Sequence, residues 1–145
     1  MRQRLVFFVT LTLGLAALDF AVKEWLPTSE WLLHERSSGW VGLSAALLVG
    51  CLAIAAIPSR MVTAAAAIIA GGTLGNLVSV GRYGGVPNPL LVGGANGIAF
   101  NVADVFVVGG LVFLAAALAS ASVRNRTRLL PPRRWEAALI RWMRR

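Results

Sequence analysis

Four long apolar stretches occupy most of this 145-residue chain, at about residues 5–22, 40–57, 61–80 and 97–119. Each comes close to the roughly 20 residues that an α-helix needs to cross about 30 Å of hydrocarbon. Charged residues make up only 14% of the chain, against about 25% in an average soluble domain. The sequence therefore predicts an all-α integral membrane protein with four transmembrane helices, and it excludes a disordered chain or an ordinary soluble enzyme.

The basic residues between and beyond these stretches predict how the chain is oriented. Eleven of the fourteen lie on the side of the two termini, and only Lys23, Arg36 and Arg82 lie on the other side. The eleven are Arg2, Arg4, Arg60 and the eight arginines from Arg124 to Arg145. By the positive-inside rule both termini face the cytoplasm, and segments 23–39 and 81–96 face outward. Membrane lipids account for the net charge of +8, so no nucleic-acid partner is predicted.

The chain divides into a transmembrane domain, residues 1–123, and a basic cytoplasmic tail, residues 124–145. Trp135, Leu139 and Trp142 recur in the tail at helical spacing, with arginines elsewhere on the helical wheel. This pattern is typical of a short amphipathic helix that lies on the inner leaflet.

Polar residues inside the apolar stretches are costly in a bilayer and usually mark function or a specific helix contact. Asp19 and Lys23 are spaced i, i+4 near the outer end of the first helix, so they share a face and are predicted to pair. Their simplest interpretation is an end-of-helix ion pair, with the Lys23 ammonium reaching towards the interface.

Two further polar groups stand at the same predicted level of the membrane. Gly75 and Asn76 end a run of small residues, Gly71-Gly72-Thr73-Leu74-Gly75-Asn76, that also suits close helix packing. Asn101 and Asp104 open the fourth stretch at i, i+3, a placement that also suits helix N-capping. Because three helices carry polar groups at their outer ends, the sequence predicts a site at the outer face of the membrane.

These residues resemble signal peptidase II, the bacterial lipoprotein signal peptidase. The resemblance rests on Gly71-Gly72-x-x-Gly75-Asn76, on Phe100-Asn101-x-Ala103-Asp104 and on the Asp19-x-x-x-Lys23 pair. It implies an aspartic endopeptidase of the bacterial cytoplasmic membrane that needs no metal or cofactor. Its substrate would be a lipid-modified prolipoprotein, cleaved just before the diacylglyceryl cysteine by two aspartates that divide the roles of base and acid.

The chain departs from the family pattern at the second catalytic position. Asp104 matches one catalytic aspartate, but the other position, in Val86-Pro87-Asn88-Pro89, holds Asn88. The family's Gly-Asn-x-x-Asp-Arg element also loses its last two residues, since Ser79 and Val80 stand there. An amide does not transfer a proton near neutral pH, so the standard two-carboxylate mechanism is predicted to be impaired or lost.

Three functional hypotheses follow. In the first, the chain binds or processes lipid-modified prolipoproteins or lipopeptides as a pseudoenzyme, alone or with a catalytic paralogue. Asn76, Asn101, Gly75, Asp19 and Lys23 would then support the substrate site around Asp104 and Asn88. In the second, the chain is an active, divergent peptidase that uses Asp104. In the third, it is a small proton-coupled transporter that uses Asp19. The glycine- and proline-rich segment 81–96 is predicted to form a flexible cover over the site.

Overall fold

The computed structural model describes residues 2–26, 28–29, 32–93, 97–125 and 140–144. The helices are α1 (Arg2–Trp25), α2 (Ser38–Ala55), α3 (Arg60–Tyr83) and α4 (Val102–Asn125). The short strands are β1 (Leu33–Glu35), β2 (Gly85–Pro87), β3 (Leu90–Val92) and β4 (Ile98–Phe100). Of the interfacial helix predicted from Arg133 onward, residues 133–139 lie outside the described residues, and residues 140–143 are helical.

All four described helices are long and apolar enough to cross a membrane, which confirms the predicted all-α membrane fold. Ser37 and Ser59 cap the N-termini of α2 and α3, where each side chain accepts a backbone N–H bond. The fourth helix begins at Val102 rather than near Gly97, because residues 98–100 pair with β3. Apolar composition alone could not distinguish this short strand from the start of the helix.

Helix α3 is the centre of the bundle and packs against α1, α2 and α4. In the most apolar 18-residue stretch of α3, 67% of the sequence is buried inside the bundle. The corresponding stretches of the other three helices are only 17–22% buried. Their outer faces expose large apolar side chains such as Leu43, Val49 and Val112. This distribution is the one expected when lipid, rather than water, surrounds the bundle.

Glycines on α3 allow its neighbours to approach closely. A Cβ on Gly71 would lie 2.7 Å from the Leu15 Cβ on α1, and a Cβ on Gly72 would overlap the Ala103 carbonyl oxygen on α4. Small residues at such positions let helix backbones come together, which is the usual basis of helix association in lipid. The glycine-rich start of the motif therefore has a packing role, as one interpretation of the sequence held.

The two ends of the bundle are built differently: one has a helix–turn contact and the other has four short strands. At one end, the Arg4 Nη1 donates to the Ile57 carbonyl oxygen at 2.9 Å, which ties the start of α1 to the turn between α2 and α3. At the other end lie the four strands. β1 pairs antiparallel with β2 and β3 pairs antiparallel with β4. This second end is where the polar residues of α1, α3 and α4 meet.

The segment expected to be a flexible cover contributes two of these strands. Gly84, with φ of 73°, ends α3 in the left-handed conformation that favours glycine. Gly85 then lies so close to β1 that an added Cβ would be 2.9 Å from the His34 carbonyl oxygen. All three residues of β2 are buried, so residues 85–87 are part of the packed end of the bundle.

Replacing Gly72 by Ala is expected to destabilise the bundle by about 1–3 kcal/mol, because the new methyl group overlaps a backbone atom of α4. Thermal unfolding in detergent measures the effect. Gly81→Ala is the matched control on the same helix, since an added Cβ there meets nothing within 4 Å. That variant should be as stable as the wild type or more stable, and equal losses in both variants would contradict close α3–α4 packing.

Candidate functional site

The Lys23 ammonium is the centre of a polar cluster between α1 and α3. It donates to Asp19 Oδ2 at 2.6 Å, to Asn76 Oδ1 at 2.8 Å and to Ser79 Oγ at 3.0 Å. Lys23 is only 5% exposed, so its side chain turns into the protein rather than towards the membrane interface. The predicted Asp19–Lys23 pair is present near the end of α1, but its ammonium also donates to two residues of α3 instead of reaching towards the interface.

The second oxygen of Asp19 reaches the start of α4. Asp19 Oδ1 accepts a hydrogen bond from the Ala103 backbone N–H at 2.8 Å, one of the N–H groups that have no partner within a helix. Gly75 makes room for this carboxylate, since an added Cβ would lie 2.6 Å from Asp19 Oδ2. Asp19 therefore joins three helices and is fully buried.

Asn76 connects the polar cluster around Lys23 to Asp104. Because the Asn76 Oδ1 faces the Lys23 ammonium, its Nδ2 must point the other way, and it donates to Asp104 Oδ1 at 3.0 Å. The other Asp104 oxygen, Oδ2, accepts from the Asn101 N–H at 3.2 Å, while Asn101 Oδ1 accepts from the Asp104 N–H at 2.9 Å. This reciprocal capping pair holds the start of α4.

Asn88 occupies the far end of the same network. Its Oδ1 accepts from Asn101 Nδ2 at 2.6 Å, and its Nδ2 lies 3.0 Å from the Nδ1 of His34 on β1. The Asn88 backbone N–H donates to the Leu32 carbonyl oxygen at 3.2 Å, and the side chain is buried. The structure thus brings together every residue that the sequence analysis placed in the site, although they come from separate helices and strands.

A cleft of about 390 Å³ opens beside Asp104 between α2, α3 and α4. We call it the Asp104 cleft. Its described lining residues are Arg36, Trp40, Ser44, Leu47, Thr73, Asn76, Asp104, Val107 and Val108. Leu47 and Val108 are exposed on the outer surface of the bundle, so the cleft opens on the side that faces lipid. Asp19 and Asn88 are not among the lining residues.

Sequence analysis missed three side chains of this region. His34 was not singled out, and Arg36 and Trp40 were not assigned to the site. The Arg36 guanidinium lies 5.1 Å from the centre of the Trp40 ring, a cation–π distance. Its Nε is buried and has no hydrogen-bond partner. No periodicity or motif marks these residues, because tertiary packing decides their neighbours. Arg36 and Trp40 line the cleft, and His34 on β1 contacts Asn88.

The polar side chains that line the cleft are one guanidinium, one indole, two hydroxyls, one amide and one carboxylate, from Arg36, Trp40, Ser44, Thr73, Asn76 and Asp104. Within the described ranges, no three His, Cys, Asp or Glu side chains come together in a group that could hold a metal ion. The arrangement can hydrogen-bond a polar group through Asn76, Asp104 and Arg36, and it can enclose apolar chains against Leu47 and Val107.

A family profile described as signal peptidase (SPase) II matches residues 25–120. This chain belongs to the signal peptidase II family. The match includes Asn76, Asn88, Asn101 and Asp104, and it begins after the Asp19–Lys23 pair. The chain is therefore a lipoprotein signal peptidase-like, multi-pass membrane protein. A comparison with curated proteins gave no significant match.

In this member of the signal peptidase II family, Ser79 lies about one helical turn after Asn76 on α3. Ser79 Oγ accepts from Lys23 and donates to the Gly75 carbonyl oxygen at 2.8 Å. The Lys23 ammonium therefore donates to one carboxylate, that of Asp19, and to the neutral hydroxyl of Ser79.

Replacing Lys23 by Met is expected to destabilise the protein by about 3–5 kcal/mol, because it leaves the buried Asp19 carboxylate without its cation. Thermal unfolding in detergent again provides the measurement. The double variant Asp19→Asn/Lys23→Met removes the unpaired charge and should recover part of this loss.

The neighbouring exposed residue offers a control for the Lys23 change. Glu24 Oε1 accepts from the Tyr83 hydroxyl at 2.6 Å in an exposed position, so Glu24→Gln should change stability by less than about 1 kcal/mol. If Lys23→Met cost no more than Glu24→Gln, the central role of the Lys23 ammonium would be refuted.

Proposed function

We propose that this chain is a pseudoenzyme of the signal peptidase II fold that binds lipid-modified prolipoproteins or lipopeptides in the Asp104 cleft. In this proposal the two-carboxylate cleavage reaction is impaired or lost. The observation that carries the proposal is the side chain of Asn88, at the position where the family has its second aspartate. Both of its polar atoms already have neighbours, Asn101 and His34.

The chemistry of the family reaction explains why this one residue matters. One carboxylate activates water and the other, protonated, polarises the scissile carbonyl and protonates the leaving amine. An amide has neither a proton to give nor the basicity to take one at neutral pH. A positioned acid or base contributes about 10²–10⁴-fold to a rate, so its loss should leave little turnover.

Among the described residues that line the cleft, no second acid replaces the missing group. Asp19 and Asp104 are the only aspartates in the chain, and both oxygens of Asp19 already accept hydrogen bonds from Lys23 and Ala103. Among the described lining residues of the cleft, Asp104 is the one acid. The same contacts of Asp19 give no support to a proton-coupled transporter that would need this carboxylate free.

The cleft itself keeps the features that a lipid-modified peptide needs. Its apolar wall, with Leu47, Val107 and Val108, can contact acyl chains that enter from the bilayer. Asn76 and Asp104 form its polar end. Binding by such a site is largely hydrophobic with a few placed polar groups, and it does not depend on a second carboxylate.

We place the protein in the bacterial cytoplasmic membrane with both termini in the cytoplasm. The arginines near the termini and at Arg60 support this orientation through the positive-inside rule. The polar network lies at the opposite end of the bundle, so in this proposal the cleft is on the outer face. A catalytic paralogue that acts on the same lipoproteins is the partner proposed for a protein that binds without cutting.

A second candidate function is that of an active, divergent peptidase. It is favoured by the retention of Asp104, which lines the cleft together with the Arg36 guanidinium. Asp104 would then act as the base, and Arg36 would stabilise the negative charge that develops on the carbonyl oxygen.

Cleavage of a diacylated prolipoprotein by the purified protein in detergent tests the proposal. The wild type should give no product above background, and Asn88→Asp should raise the rate by about 10²-fold or more because it restores the second carboxylate. Mass spectrometry of the released signal peptide measures both rates. The new carboxylate would still accept from Asn101 Nδ2, so the network should survive.

Two matched variants separate the outcomes. Asn88→Ala adds no acid and should stay inert, and Asn88→Asp/Asp104→Asn should lose any activity that Asn88→Asp gains. Cleavage by the wild type that disappears in Asp104→Asn would support the second candidate and overturn the first. Inertness of Asn88→Asp would show that Asn88 is not what limits the reaction.

A further inference from the structure

The carboxylate of Asp104 forms no ion pair with any residue that the structure describes. Lys23 forms its ion pair with Asp19 and not with Asp104. Asp104 accepts two hydrogen bonds from neutral donors, the Asn76 amide and the Asn101 N–H, and no cationic group of the described chain lies within 4.0 Å of it. A carboxylate has about four acceptor positions, so Asp104 retains acceptor capacity in the cleft that it lines.

A carboxylate without an ion-pair partner attracts a cation strongly when its surroundings are apolar. Water screens charges well, but the apolar wall and the adjacent bilayer do not. Arg36 lines the same cleft and does not supply the cation, because it makes no ion pair with Asp104 and instead lies over the Trp40 ring. The cleft thus holds one cation, Arg36, and one anion, Asp104, that form no ion pair with each other, so the Asp104 carboxylate is free to pair with a cationic group of a ligand.

Arg36 has a hydrogen-bond donor without an acceptor. Its Nε is buried without an acceptor, although a buried donor without a partner is costly. A ligand that brought a carbonyl oxygen to this nitrogen would satisfy it. The cleft therefore offers one charged acceptor, Asp104, one unsatisfied donor, Arg36, and an apolar wall between helices.

We infer that the Asp104 cleft recognises the free α-ammonium of an already cleaved diacylglyceryl-cysteine lipopeptide in preference to the uncleaved precursor. This inference rests on the proposed function and deepens it. Cleavage before the lipid-modified cysteine releases a primary amine, which is protonated at neutral pH, whereas the precursor has a neutral amide at that atom. The ammonium would donate to Asp104, an ester or peptide carbonyl would accept from Arg36, and the acyl chains would lie along Leu47 and Val108.

Calorimetric titration of the wild-type protein in detergent with three synthetic probes tests the inference. The first is a diacylglyceryl-cysteinyl peptide with a free α-amine, the second is the same peptide N-acetylated, and the third is extended by signal-peptide residues. The free amine should bind roughly 10- to 100-fold more tightly than either of the others, since charge-assisted hydrogen bonds are the stronger kind.

Variants assign this preference to single side chains. Asp104→Asn should bring the free-amine peptide down to the affinity of the acetylated one. Arg36→Gln should weaken all three peptides by a similar factor, because each of them carries the carbonyl groups. The wild-type comparison of free and acetylated peptides stands without any variant, so a folding defect in Asp104→Asn would not remove the test.

The outcomes separate this inference from the proposed function. If all three peptides bound equally well, the ammonium preference would be refuted while lipopeptide binding stood. If none bound, the proposed function would fail as well. If phosphatidylethanolamine in the micelle, but not phosphatidylcholine, displaced the free-amine peptide with equal affinity per molecule, the subsite would belong to a membrane lipid and the lipopeptide assignment would be overturned.

Discussion

The buried ammonium of Lys23 is the interaction on which the rest of the site depends. A cation inside a membrane bundle must be fully paired, and Lys23 meets this need with acceptors from α1 and α3. The hydrogen bond from Lys23 to Asn76 Oδ1 orients the Asn76 amide, so that its Nδ2 faces Asp104. A single charge in α1 therefore determines the hydrogen bonding of a carboxylate that lies on α4.

The same network explains how an amide can stand at position 88 without disturbing the fold. Asn101 presents a donor to Asn88, because its own oxygen already caps α4 at Asp104. His34 presents a ring nitrogen on the other side. An asparagine satisfies both neighbours, since it is acceptor and donor at once. The hydrogen-bonding needs of this position are therefore met by an amide, and the proposed loss of cleavage follows because an amide cannot serve as an acid or a base near neutral pH.

Much of the architecture could be predicted from the residues alone. Four stretches of bilayer length predicted four helices, and the i, i+4 spacing of Asp19 and Lys23 predicted their pairing, because both are properties of one helix. The start of α4 and the strand at residues 85–87 were not predicted, since a short apolar run is ambiguous between strand and helix until its partner is known. Arg36 and His34 lie on the segment before α2, where no pattern constrains a side chain.

The sequence by itself predicted four spans and the polar residues of the network, and it has asparagine at position 88. Only the tertiary structure decided what those residues do for one another. Asn76 meets Lys23 across 53 positions of the chain, and Ala103 meets Asp19 across 84. The physical reason is that hydrophobic length and helical spacing act locally, whereas the partner of a buried polar group is set by which helices pack together and how closely their glycines let them approach.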